Sequence, residues 1–165
     1  MENIQIALIK YIFGFGLQSF MLVLGVYTFN KQKVVLRDYI LTSMTVAIFS
    51  YLMKLLPITV GVQTILNMIT MYLLCVIFLK MPPYRTIRST SLCVVLILLS
   101  EMIVTSIAVQ IVGQEQFQTI ISDASQRYYI GLFANIIFAV IIVLLHLALR
   151  KKGEKNRSIS AQDIV

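Results

Sequence analysis

Few side chains in this 165-residue protein can do chemistry: it has one histidine, two cysteines and seven acidic residues. The informative ones lie inside apolar runs. Glu101, Thr105 and Ala108 are spaced by four and three residues, as are Gln63, Asn67 and Thr70. Ser43, Ala47, Ser50 and Lys54 repeat at four, three and four. At about 100° per residue, each set falls on one narrow stripe of a helix. Asn135 and Lys10 stand singly in two further apolar runs. A charged group at mid-membrane costs at least about 2.5–3.5 kcal/mol, so it usually pairs or has a job. Glu101, Lys54, Gln63, Asn67, Asn135 and Thr105 are therefore the candidate ligand-binding residues, lining an outward-open cavity with Glu101 on a ligand or coupling ion. In the plainer alternative Glu101 bonds to Asn67 and Thr105, both lysines extend to the outer headgroups, and the polar groups only set packing, at about 0.6 kcal/mol per bond.

Catalytic machinery is not expected. Cys75 or Cys93 with His146 is the one thiol–imidazole pairing the chain offers, and no recognised spacing or glycine-rich phosphate loop accompanies it. His146, four residues before Arg150, reads as an interfacial or packing residue. The two cysteines read as free thiols that fill space like small apolar residues. No CxxC or Cys/His cluster points to a metal, and no cofactor is expected. The chain reads as a non-enzyme.

The elements that must position these residues follow from composition. Hydrophobic residues make up 59% of the chain and charged residues 13%, with a mean hydropathy of +0.89. A soluble domain averages about 45–50% apolar and about 25% charged residues. The fold class is therefore all-α, a polytopic membrane bundle, because a crossing helix needs about 20 mostly apolar residues and five segments qualify: 4–29, 39–56, 60–79, 91–112 and 128–149. These continuous apolar runs are unlike the alternating strands, about 10 residues long, of a membrane barrel. Residues 1–150 form one transmembrane domain, and 151–165 form a basic, polar tail expected to be disordered beyond its start. The polar turns of 114–127, carrying Phe117, Ile120 and Ile121, predict a short amphipathic turn or helix on the outer face.

Charge sets the expected orientation. Lys31, Lys33 and Arg37 lie between the first two spans, Lys80, Arg85 and Arg88 between the third and fourth, and Arg150, Lys151, Lys152, Lys155 and Arg157 after the fifth. Positive loops stay cytoplasmic, so five spans place the N-terminus outside and the C-terminus inside. The net charge of +7 thus has a membrane explanation, and no nucleic-acid partner is expected. The first segment is not read as a cleaved signal: Glu2 precedes the apolar core, the basic cluster follows it, and Tyr27 to Asn30 make a poor cleavage site. Gly14, Gly16 and Gly25 form no Gly-xxx-Gly pair and are expected to permit bending or close packing. Tyr128 and Tyr129 suit an interfacial anchor.

The segment Leu55-Leu-Pro-Ile-Thr-Val-Gly-Val-Gln-Thr-Ile-Leu66, the basic loop after the third span, and Leu98-Leu-Ser-Glu-Met-Ile103 together resemble the membrane-sensor region of Gram-positive sensor histidine kinases, including the accessory-gene-regulator type. The resemblance covers about residues 35–112, with Pro57, Gly61 and Glu101 as its matching positions. It implies detection of an extracellular or membrane-borne signal in the bacterial plasma membrane. Such kinases continue into a phosphoacceptor helix and an ATP-binding domain, which the fifteen residues of 151–165 do not hold, so output is expected to run through a partner. Two functional expectations result. One is a non-enzymatic sensor or accessory subunit acting through helix contacts with a membrane partner, a kinase or transporter subunit or a second copy. The other is a small-molecule or ion carrier, or its substrate-binding subunit, using the cluster around Glu101.

Overall fold

The computed structural model describes residue 14 and residues 16–55, 60–122 and 124–162. Among them the chain forms six helices and no strand: α1 (Leu17–Asn30), α2 (Leu36–Leu55), α3 (Val60–Ile77), α4 (Pro83–Val112), α5 (Gln114–Ser122) and α6 (Ala124–Gln162). The all-α expectation holds. Lys10 lies outside the described residues, as do the side chains of Lys54 and Gln63.

Helix ends follow local chemistry. At the end of α1, Lys31 takes the left-handed conformation (φ 53°). Its N–H bonds to the Thr28 carbonyl at 3.1 Å, and that of Gln32 bonds to the Tyr27 carbonyl at 3.2 Å. This paired cap satisfies carbonyls that the helix leaves open. α4 opens on Pro83 behind an extended Pro82, where the missing proline N–H costs nothing. It closes at Gly113 with φ 83°, a value that is inexpensive only for glycine.

Two helices outrun the expected spans. α4 starts at Pro83 rather than at residue 91, and α6 continues past 149 to Gln162, across the tail expected to be disordered. Apolar character ends where charges begin, but helical hydrogen bonding does not. Lys, Arg, Glu and Gln are good helix formers, and Gly153 is a weak breaker compared with proline. The short helix anticipated in 114–127 is α5, which buries Phe117.

α1 is the hub. It packs against α2, α4 and α6, while α3 bridges α2 and α4. Tyr39 of α2 donates its hydroxyl to the Phe20 carbonyl at 3.0 Å and meets the rings of Phe20 and Tyr27 edge-on. One core cluster gathers Val23, Val26, Tyr27, Val46, Met71 and Cys75 with Met81 and Cys93. A second joins Ile97, Phe138 and Ile142. Both cysteines are buried and free. The approach of α1 to α4 depends on Gly25, where a Cβ would stand 2.6 Å from the Cys93 Sγ and 3.2 Å from the Ile142 Cδ1.

Two helical stretches are long and apolar enough to cross a membrane, Pro83–Val112 and Tyr128–Lys151, and only 17% and 22% of their apolar windows are buried. The core helix of a soluble fold would be mostly buried. Large apolar side chains are also left open on α2 and α3, among them Leu36, Ile48, Ile65 and Ile77, far beyond the patches a soluble monomer leaves bare.

Candidate functional site

The candidate residues are placed by four different helices. On α2 the expected stripe does turn inward: Ser43 and Ser50 are buried and Ala47 is half-buried. On α3, Asn67 and Thr70 are half-buried, and the Asn67 Oδ1 is enclosed without a hydrogen-bond partner. Asn135 of α6 is buried and its Nδ2 donates to the Gly14 carbonyl at 3.3 Å. It ties α6 to the chain entering α1, where Tyr128 packs beside Gly14.

α4 departs from expectation. Its buried stripe runs through Thr86, Ser89, Thr90, Cys93, Ile97 and Ser100, small residues for the most part, which let α1 and α6 come close. Glu101 is one residue further and so about 100° round the helix. It is exposed, beside exposed Leu98 and a Met102 that is 65% open. Thr105 is half-buried. No hydrogen bond joins Glu101 to Asn67 or Thr105 among the described residues. Of the α4 stripe drawn from the sequence, Thr105 and Ala108 are half-buried and Glu101 is exposed, while its neighbour Ser100 faces the bundle.

The opposite end of the bundle holds polar contacts that sequence reasoning missed. The Ser89 hydroxyl of α4 shares its one proton between the Arg85 carbonyl at 2.8 Å and the Asn30 Oδ1 at 3.0 Å, and the Asn30 Nδ2 donates to the Met81 Sδ at 3.2 Å. Asn30 and Ser89 are both buried. The Thr28 hydroxyl donates to the Leu24 carbonyl at 2.7 Å and lies 2.8 Å from the His146 Nδ1. A hydroxyl has one proton to give, so a proton on Nδ1 satisfies both contacts at once. These bonds join the end of α1 to the first turns of α4 and to the middle of α6, beside Lys31, Arg85 and Arg88. A signal was present in the sequence: Asn30 and Lys31 follow directly on an apolar run, and Arg85, Arg88 and Ser89 share a helix face at three- and four-residue spacing. Read only as topology markers, the cations did not draw attention to their neighbours.

Comparisons with protein-family models, with curated proteins and with solved structures return no match.

Proposed function

We propose that the chain is a membrane protein of five crossing helices, N-terminus outside and C-terminus inside, acting without catalysis of its own as a sensor or accessory subunit through helix contacts with a membrane partner. The open apolar faces of α4 and α6 support the membrane setting. The Asn30–Ser89 and Thr28–His146 bonds support the shared orientation of the basic segments, since the residues they join lie within four positions of Lys31, Arg85 and Arg150. The sensor role, and with it the bacterial plasma membrane, draws on the resemblance of residues 35–112.

One observation carries the partner. Glu101 sits in the outward face of an apolar helix, eleven residues before its end at Val112, with apolar neighbours and no hydrogen bond among the described residues. A carboxyl left in lipid costs at least about 2.5–3.5 kcal/mol, and a donor on another helix docked against α4 would offset that cost. The position favours a partner over an internal ligand cavity, because a cavity residue would turn toward the bundle.

The test uses a photo-crosslinker at position 98 or 102 in the intact membrane, with position 144 on α6 for comparison. One defined adduct is expected from 98 and 102, retained in Glu101→Gln and lost in Glu101→Ala. A second copy of the chain would appear as an adduct of twice the mass. Absence of any adduct, or one that is indifferent to Glu101→Ala, rules the reading out.

A further inference from the structure

Where the end of α1 meets the first turns of α4, a cleft encloses about 710 Å³, within the range of about 300–1,000 Å³ usual for ligand sites. Lys31, Arg85 and Arg88 line it, all three exposed, and no acidic side chain among the described residues does. Among the described residues none of the three has an ion-pair partner. Three cations around one opening repel each other, and an anion among them would relieve that repulsion. Arg85 and Arg88 are three residues apart, so their guanidinium groups lie on one face of α4. The opening turn of this 30-residue helix adds the positive end of the helix dipole, although its two prolines and the Arg85 N–H bonded to the Pro82 carbonyl leave few donors free. Lys31 is held there by a left-handed backbone, a conformation unfavourable for any residue with a Cβ.

The remaining lining is of a different kind. Asn30 and Ser89, bonded to each other, make a rigid polar floor. Phe29 and Leu92 make an apolar wall, with Leu92 one helical turn beyond Arg88 and away from the basic end. A soluble phosphate would need the cations alone. Cations at the rim with an apolar wall running from them match a headgroup and the chain attached to it.

We propose that this cleft binds the phosphodiester headgroup of an anionic phospholipid, with an acyl chain laid along Phe29 and Leu92, in the leaflet at the basic end of the bundle. The proposal rests on the membrane placement given above and adds a specific lipid site to it. Guanidinium groups supply paired donors to phosphate oxygens, Lys31 supplies a point charge from the other helix, and the bound lipid bridges α1 and α4.

The full chain in mild detergent is titrated with phosphatidylglycerol, phosphatidylcholine or inorganic phosphate while thermal unfolding is followed. Phosphatidylglycerol is expected to raise the midpoint saturably, and the other two to leave it unchanged. Arg85→Gln with Arg88→Gln should weaken the phosphatidylglycerol effect by at least about tenfold. Lys151→Gln with Lys152→Gln removes the same charge elsewhere and should change it by less than about threefold. Equal responses to the two lipids, or equal losses in the two double variants, overturn the proposal. Competition by inorganic phosphate at the concentration of the lipid assigns the cleft to a free phosphate and overturns the lipid. Native mass spectrometry of the unaltered chain gives a reading that needs no variant: one retained phosphatidylglycerol is expected, and indiscriminate retention of both lipids counts against the site. Failure of the membrane placement has its own signature, release of the chain from membranes by alkaline carbonate.

Discussion

Ser89 and Thr90 are sequence neighbours on the same buried stripe of α4, yet their hydroxyls have different surroundings. Ser89 reaches the Asn30 carboxamide, whereas the Thr90 Oγ1 is enclosed with no partner among the described residues. On the same helix Thr86, Ser89 and Ser100 also return their hydroxyl to a carbonyl four residues back; Thr90 does not. Removing one member of a buried pair leaves the other unsatisfied, at about 1–3 kcal/mol. Ser89→Ala is therefore expected to destabilise the chain by that amount. Thr90→Val keeps the shape and discards an unpaired dipole, so it should be neutral or stabilising by up to about 1 kcal/mol. Thermal unfolding of the two variants in the same detergent checks the pair. Two losses of similar size would show that Thr90 has a partner after all. Neither outcome could be foreseen from residue type, since the hydroxyls differ only in what another helix brings to them.

At the scale of the elements, the contact between α1 and α4 has almost no spare room. A methyl group at position 25 would overlap the Cys93 sulfur and press on Ile142. Overpacking of this kind typically costs about 1–3 kcal/mol, more than the roughly 1 kcal/mol gained by replacing a helical glycine with alanine. Gly25→Ala should lower the unfolding midpoint, and adding Cys93→Ala should restore much of the loss. A double variant no better than the single one would move the strain elsewhere. Helix existence was legible in the sequence, because long apolar runs bounded by Pro82, Pro83 and Gly113 leave few alternatives. The inward stripe of α2 was legible too. The facing of α4 was not. A single residue turns a helix by about 100°, and whether Ser100 or Glu101 looks inward depends on how closely α1 and α6 approach. Small side chains decided that approach, and a reading that followed the charge turned Glu101 inward, although Thr105 and Ala108 of the same stripe are half-buried. The lengths of α4 and α6 escaped for another reason: apolar composition marks where lipid could lie, and a helix can continue beyond it.

The molecule as a whole makes a claim about sides. If the basic segments share one face of the membrane, single cysteines at Lys33, Arg88 and Lys151 should react with an impermeant maleimide only after the cells are opened. A cysteine at Gln116 of α5 should react in intact cells. The native thiols need not be removed, because both are fully buried. Labelling of Lys33 and Arg88 from opposite sides would dismantle the five-span arrangement, whatever became of the contacts at its ends. The candidate ligand set is described only in part, since the side chains of Lys54 and Gln63 lie outside the described residues. Asn135 is engaged with the Gly14 carbonyl and Glu101 faces away from the bundle, while the polar contacts linking helices are strongest at the other end.

The 39 residues of α6 give a rod of roughly 58 Å, nearly double the hydrocarbon thickness of about 30 Å. His146, fastened to Thr28, is a natural fulcrum for it. From there to Gln162 the arm measures about 24 Å, so a tilt of about 10° sweeps its tip through roughly 4 Å. A small rearrangement among embedded helices would thus arrive, magnified, at a distance where a second protein could feel it.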